Sequence, residues 1–164
     1  ATSFWAAALL KDRVGSTAAI STVAIVALGA GMGVGRWYGG LVLKNFKLDN
    51  QLLGLVALQF IGFTAFWFSH SMIISLICLF VIGLGISMQF ALAAIRLVSF
   101  SDNRPDLAVG KLSLAAGIAI GGAPFLLGFL GDNFGISRAY IMVPVLIAIA
   151  FVITVLTPSH SEKA

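Results

Sequence analysis

The chain has 164 residues, of which 60% are hydrophobic and only 10% are charged, whereas a soluble domain carries about a quarter charged residues. This composition, with a mean hydropathy of +1.06, excludes an ordinary soluble protein and indicates an integral membrane protein surrounded by the lipid bilayer. The net charge of +4 does not indicate a nucleic-acid partner, because the ten Lys and Arg residues are spread over several connecting segments.

Apolar stretches long enough to cross a bilayer follow one another along the chain. A bilayer core about 30 Å thick requires roughly 20 apolar residues in a helix. Residues 1–10, ATSFWAAALL, are too short to span, and we interpret them as the end of a helix whose beginning precedes Ala1. An interfacial segment is the alternative. Five full spans are then predicted, over residues 17–43, 51–68, 72–97, 112–131 and 138–157, followed by a short polar tail at 158–164.

The spans are predicted to be helices. A membrane β-barrel would require segments of about ten residues with alternating hydrophobicity, and this chain has longer, continuous apolar runs. The expected fold is therefore all-α, a polytopic transmembrane helix bundle with five full spans and a partial first helix. The polar segment 99–111 is expected to be a loop exposed to water.

The distribution of basic residues predicts the orientation in a cell membrane. One side of the expected bundle holds Lys44, Lys47, Arg96, Arg104, Lys111 and Lys163, and the other holds Lys11, Arg13 and Arg138. Since basic residues are more frequent on the cytoplasmic side, the loop 99–111 and the C-terminus are predicted to be cytoplasmic.

Glycine is concentrated in two of the predicted spans. The first full span contains three overlapping GxxxG pairs, at 29/33, 31/35 and 35/39, which favour close helix packing on more than one side. The fourth combines small residues, including Gly117 and Gly121, with Pro124. Such a helix is expected to be kinked, and it either packs closely or lines a cavity.

Polar side chains at membrane depth are the candidate functional residues. Burying the charge of Arg36 within the membrane costs free energy, so Arg36 is a candidate functional residue. Alternatively, the adjacent Trp37 and Tyr38 lie in an aromatic belt at the membrane interface, and Arg36 extends from there to the lipid headgroups. Gln89 is expected to bind a ligand or a neighbouring helix, and Gln59 to hold two helices together. Trp5 is either a belt residue or part of a cavity wall.

Enzymatic chemistry is not indicated. The chain has no nucleophile paired with a base and no carboxylate pair within a predicted span. A lone Cys78 and two distant histidines do not form a metal set, so neither a cofactor nor a metal is predicted.

Four segments, read in order, resemble the C-terminal half of a major facilitator superfamily transporter, from the end of helix 7 through helix 12. They are FWAAALL, GAGMGVGRWYGGLV, FVIGLGISMQFALAA and AAGIAIGGAPFLLGFLGDNFGISRAYIMVPVL. The connector LVLKNFKLDN lacks the D-R-x-G-R-R signature that marks another loop of the family.

The resemblance implies a secondary active or facilitative carrier that moves a small organic solute by alternating access between two six-helix bundles. The N-terminal half of the same transporter would be a partner, and helices 7, 8, 10 and 11 would line the pathway. The implied pathway residues are Arg36, Gln89, Trp5, Gly121 and Pro124. The alternative from the residues alone is a free-standing small membrane protein with a packing or assembly role and no transport activity.

Overall fold

The computed structural model of the protein describes residues 18–101 and 104–158. Of these residues 87% are helical and none lies in a strand, which confirms the all-helical prediction. The helices are α1 (Ala18–Leu43), α2 (Leu48–Phe68), α3 (Met72–Ile86), α4 (Gln89–Ser99), α5 (Pro105–Phe134), α6 (Ile136–Ala139) and α7 (Met142–Leu156). The predicted partial helix at 1–10, with Trp5, and nearly all of the polar tail lie outside the described residues.

Three helical stretches in the described part of the chain are long and apolar enough to cross a membrane. They are α2, the α3–α4 stretch Met72–Ser99, and α5. The helix α7 is apolar but has only 15 residues. A membrane location is therefore supported, whereas the predicted number of five full spans is not established.

Several helices differ from their predicted boundaries, and the last predicted span, 138–157, is divided between α6 and α7. The third predicted span is interrupted at Ser87 and Met88, which separate α3 from α4. The helix α5 begins at Pro105, so the expected loop at 99–111 is wrong for its second half. Proline suits the first helical position, because its φ angle is already helical and its missing N–H would have no partner there.

The core is built around α3, which packs against α1 on one side and α2 on the other. On the α1 side, Gly31 lies against the backbone of Phe80, and Gly83 of α3 lies against the backbone of Leu28. On the α2 side, Gly62 contacts Ile82. Small residues allow this approach, since a side chain at any of the three glycines would meet the neighbouring helix.

Only part of the glycine pattern in α1 is used in this packing. Gly31, Gly35 and Gly39 face α3 or the segment that follows it, whereas a β-carbon added at Gly29 or Gly33 would meet no atom of another helix within 4 Å among the described residues. The sequence predicted packing on more than one side of α1, but the described residues pack against one side only.

Aromatic residues join the end of the chain to the core. The rings of Phe63 and Tyr140 stack with centroids 5.4 Å apart and an interplanar angle of 7°. Both side chains are almost completely buried. Tyr140 lies between α6 and α7, so this contact fixes the start of α7 against α2, with which α7 also packs.

The helix α5 is exposed along most of its length. Only 6% of its most apolar 18-residue segment is buried, although Leu127 contributes to the core. Large apolar side chains such as Ile118, Ile120 and Phe125 are exposed on it. In a membrane protein, lipid or a further protein segment covers a surface of this kind.

The glycine contacts predict a difference between two substitutions in the same helix. Gly31→Ala places a β-carbon against the Phe80 carbonyl and should lower the free energy of unfolding by about 1–3 kcal/mol, as overpacking does. Gly29→Ala has open space and should leave stability unchanged or slightly raised. Unfolding of the purified variants in mixed micelles measures both, and equal effects would contradict the packing described.

Candidate functional site

A break in the middle of a predicted span is the central feature of the candidate site. The Ser87 hydroxyl donates a hydrogen bond to the Leu84 carbonyl at 2.6 Å, and the Ser87 amide approaches the same carbonyl at 3.3 Å. A serine side chain that competes in this way for a helical carbonyl weakens the regular helix. Regular helical hydrogen bonding is interrupted at Ser87 and Met88, although both keep backbone angles in the right-handed helical region, and α4 begins at Gln89.

Arg36 lies at this break. Its Nε donates a hydrogen bond to the Ser87 carbonyl at 3.2 Å. Gly35 makes the approach possible, because a β-carbon there would overlap the Ser87 side chain. A cation near the C-terminal end of a helix is also favoured by the helix dipole. Arg36 is therefore bonded to the chain at the break, although the residue as a whole is exposed.

Two glutamines form the second polar contact near the break. Gln89 Nε2 donates to Gln59 Oε1 at 2.7 Å, which joins α4 to α2 and confirms Gln59 as an interhelical contact. Gly85 lies against Gln59 and leaves room for α2, since a β-carbon at Gly85 would be 2.9 Å from the Gln59 backbone. An amide has both donors and an acceptor, so this pair retains further hydrogen-bonding groups that a solute or water could use.

Gln89 also lines an open cavity between α2, α4, α5 and α7, which we call the Gln89 cavity. Its volume is about 700 Å³, within the range of small-molecule sites. A smaller cavity of about 260 Å³ is lined by Gln59, Gln89 and Ala123 among others. The walls of the Gln89 cavity are formed by Leu52, Val56, Gln89, Ala93, Arg96, Leu97, Phe100, Leu112, Ala115, Ala150, Ile153 and Thr154.

Arg96 closes one end of this cavity by joining three helices. Its Nε donates to Asp49 Oδ1 at 2.8 Å, and Nη2 donates to the Thr154 carbonyl at 3.2 Å and to the Thr157 carbonyl. The ion pair is largely shielded from solvent, with side-chain exposures of 13% for Arg96 and 5% for Asp49. The guanidinium also lies 5.7 Å from the centre of the Phe100 ring.

This junction was not predicted from the sequence. Arg96 was counted only as a topology signal, and Asp49 was assigned to a connector. The sequence nevertheless indicated that this ion pair could form, because both residues were placed at the same end of adjacent predicted spans, where opposite charges can meet.

The remaining candidate residues are not gathered at the break. Gly121 and Pro124 lie in α5, and neither lines the Gln89 cavity or the smaller cavity. Gly121 has no neighbouring atom within 4 Å among the described residues. Arg36 and Gln89 both lie at the break, Arg36 on its α1 side and Gln89 on its α2 side, and of the two only Gln89 lines these cavities. Trp5 lies outside the described residues.

A scan against protein-family models gives no match, and no curated protein sequence matches the chain. The resemblance to the major facilitator superfamily therefore stays a prediction. Any conclusion about function depends on the geometry of the break and the cavity.

The Arg96 junction predicts a strong effect of removing Asp49. Asp49→Ala leaves a shielded guanidinium without its carboxylate and should lower the free energy of unfolding by about 3 kcal/mol. Asp106→Ala is the matched control, because both aspartates follow the first residue of a helix and Asp106 is exposed. Its cost should stay below about 1 kcal/mol, the usual size of a helix-dipole contribution. Equal losses on detergent unfolding would show that the ion pair contributes little.

Proposed function

We propose that the chain forms the C-terminal bundle of a secondary transporter of the major facilitator type, which moves a small organic solute across the cell membrane. The observation that carries this proposal is the break between α3 and α4, which places Gln89 beside a cavity of about 700 Å³. Secondary transporters typically bind their substrates at interrupted membrane helices, where polar groups are available at membrane depth.

The lining of the cavity bears on the kind of solute. Most of its wall consists of apolar side chains, and Gln89 supplies an amide in contact with Gln59. Arg96 reaches one end but is engaged by Asp49. Such a cavity favours a solute that is largely apolar and carries at least one hydrogen-bonding group.

The exposed surface of α5 supports a bundle with a missing partner. By the resemblance, α1, the α3–α4 stretch and α5 correspond to helices 8, 10 and 11, which face the other half of the transporter. They carry Arg36, Gln89, Gly121 and Pro124, while Trp5 would belong to helix 7. An N-terminal half would cover part of α5 and complete the pathway, with the C-terminus in the cytoplasm.

The alternative is a free-standing membrane protein with an assembly role, and the coding sequence upstream of Ala1 separates the two. A transporter requires about six further hydrophobic spans in the same reading frame. A start codon directly before Ala1 would contradict the proposal.

Gln89 provides the first functional prediction. In the intact protein, Gln89→Leu removes one hydrogen-bonding group from the cavity and should raise the apparent KM for the solute about fivefold, the loss expected from one hydrogen bond. A panel of radiolabelled organic solutes, tested for uptake into cells, supplies the assay. Gln51→Leu is the matched control, because Gln51 bonds the Phe46 carbonyl near the connector and lies away from the cavity. Unchanged kinetics in Gln89→Leu would leave Gln89 as a packing residue.

Arg36 provides the second functional prediction. Arg36→Lys keeps the charge but loses the planar guanidinium that reaches the Ser87 carbonyl. Uptake should fall about tenfold with unchanged abundance in the membrane, because hydrogen bonds to charged groups contribute roughly 1.5–3 kcal/mol. Arg138→Lys, at an exposed position, should be without effect. A parallel loss of abundance and uptake would assign Arg36 a structural role.

A further inference from the structure

A groove at the junction of α4 and α5 combines cationic and apolar side chains. It has a volume of about 280 Å³ and is lined by Leu97, Phe100, Ser101, Arg104, Leu107, Ala108 and Lys111. The residues at 104, 107, 108 and 111 follow the spacing of a single helix face, and those at 97, 100 and 101 do the same at the end of α4. We call this feature the basic groove.

The charge of the basic groove is positive. Arg104 and Lys111 are both exposed and lie seven positions apart, which corresponds to about 10 Å along a helix. Asp106 is exposed in the first turn of α5 but does not line the groove. Two cations at this spacing can both contact one phosphate-bearing headgroup.

The surface next to the basic groove is apolar. Leu97, Phe100 and Leu107 form its sides, and α5 continues from Lys111 to the exposed Leu114 and Ile118 on the same face. Because α5 is long and apolar enough to cross a membrane, Arg104 and Lys111 lie near one end of a span. Positive charge at the end of a span, followed by an apolar track, matches the charge and shape of an anionic phospholipid.

We propose that the basic groove binds the headgroup of an anionic phospholipid, with an acyl chain lying along Leu114 and Ile118 of α5. Basic pockets between membrane helices bind such headgroups, and each Lys or Arg near the surface contributes measurably. The proposal depends on the membrane location of α5 and not on transport activity. Other faces of α5 remain exposed, so a bound lipid is compatible with a second bundle.

The test compares lipids on the purified full chain by native mass spectrometry in detergent. Wild-type protein should bind phosphatidylglycerol about 30-fold more tightly than phosphatidylcholine, as two surface cations predict. In Arg104→Gln/Lys111→Gln this preference should fall to about twofold or less. Lys44→Gln/Lys47→Gln is the matched control, because it removes two charges from the same predicted side of the membrane and should keep the preference.

Three results of the comparison between the two lipids would overturn the proposal. They are equal affinities of the wild type for the two lipids, a preference retained in Arg104→Gln/Lys111→Gln, and a preference lost equally in the Lys44/Lys47 control.

Glycerol phosphate added as a competitor separates a lipid site from a soluble-anion site, since displacement of the lipid at equal concentration would contradict a lipid site. Arg104→Lys/Lys111→Arg keeps both charges and should bind as the wild type does, and its thermal unfolding, measured beside that of the glutamine variant, detects any loss of folding.

Discussion

The hydrogen bonding of a broken helix inside an apolar environment is the constraint on which the rest of the site depends. Within a bilayer, an unsatisfied backbone group costs several kcal/mol, so a span can be interrupted only where other protein groups reach it. At Ser87 those groups are its own hydroxyl and the guanidinium of Arg36. Gly35 and Gly85 provide the space, since they let α1 and α2 approach on either side of the break.

The break has consequences on both of its sides. Towards α1 it fixes Arg36, and towards α2 it begins α4 with Gln89, whose amide bonds Gln59 and faces the Gln89 cavity. Farther along α4, Arg96 joins the ends of α2 and α7 at one end of the cavity. A cavity joined at one end by Arg96, with the exposed α5 along its wall, is also suited to a bundle that works against a partner.

Hydropathy predicted the helical class and the membrane location, and the GxxxG spacing predicted close packing of α1, in which Gly31 and Gly35 take part. Both predictions follow from composition and local spacing. It did not predict the break at Ser87, since one serine within an apolar stretch hardly changes the mean over a window. It also missed the ion pair of Arg96 with Asp49, because the two residues are 47 positions apart in the sequence and only helix packing brings them together. The start of α5 at Pro105 was missed for another reason. The helix begins in the polar residues that precede the apolar stretch, and hydropathy does not detect helical structure in polar residues.

Access of water to the Gln89 cavity tests the transport account most directly, and it requires no knowledge of the solute. In the intact protein with Cys78 replaced by alanine, Ala93→Cys places a thiol on the cavity wall, and Ile149→Cys places one on an exposed face of α7. Because maleimides react with thiolates in water, a membrane-impermeant maleimide should label Ala93→Cys from at least one side and leave Ile149→Cys unlabelled. If neither cysteine is labelled from either side, although both react after denaturation, the cavity is closed to water and the transport account is contradicted.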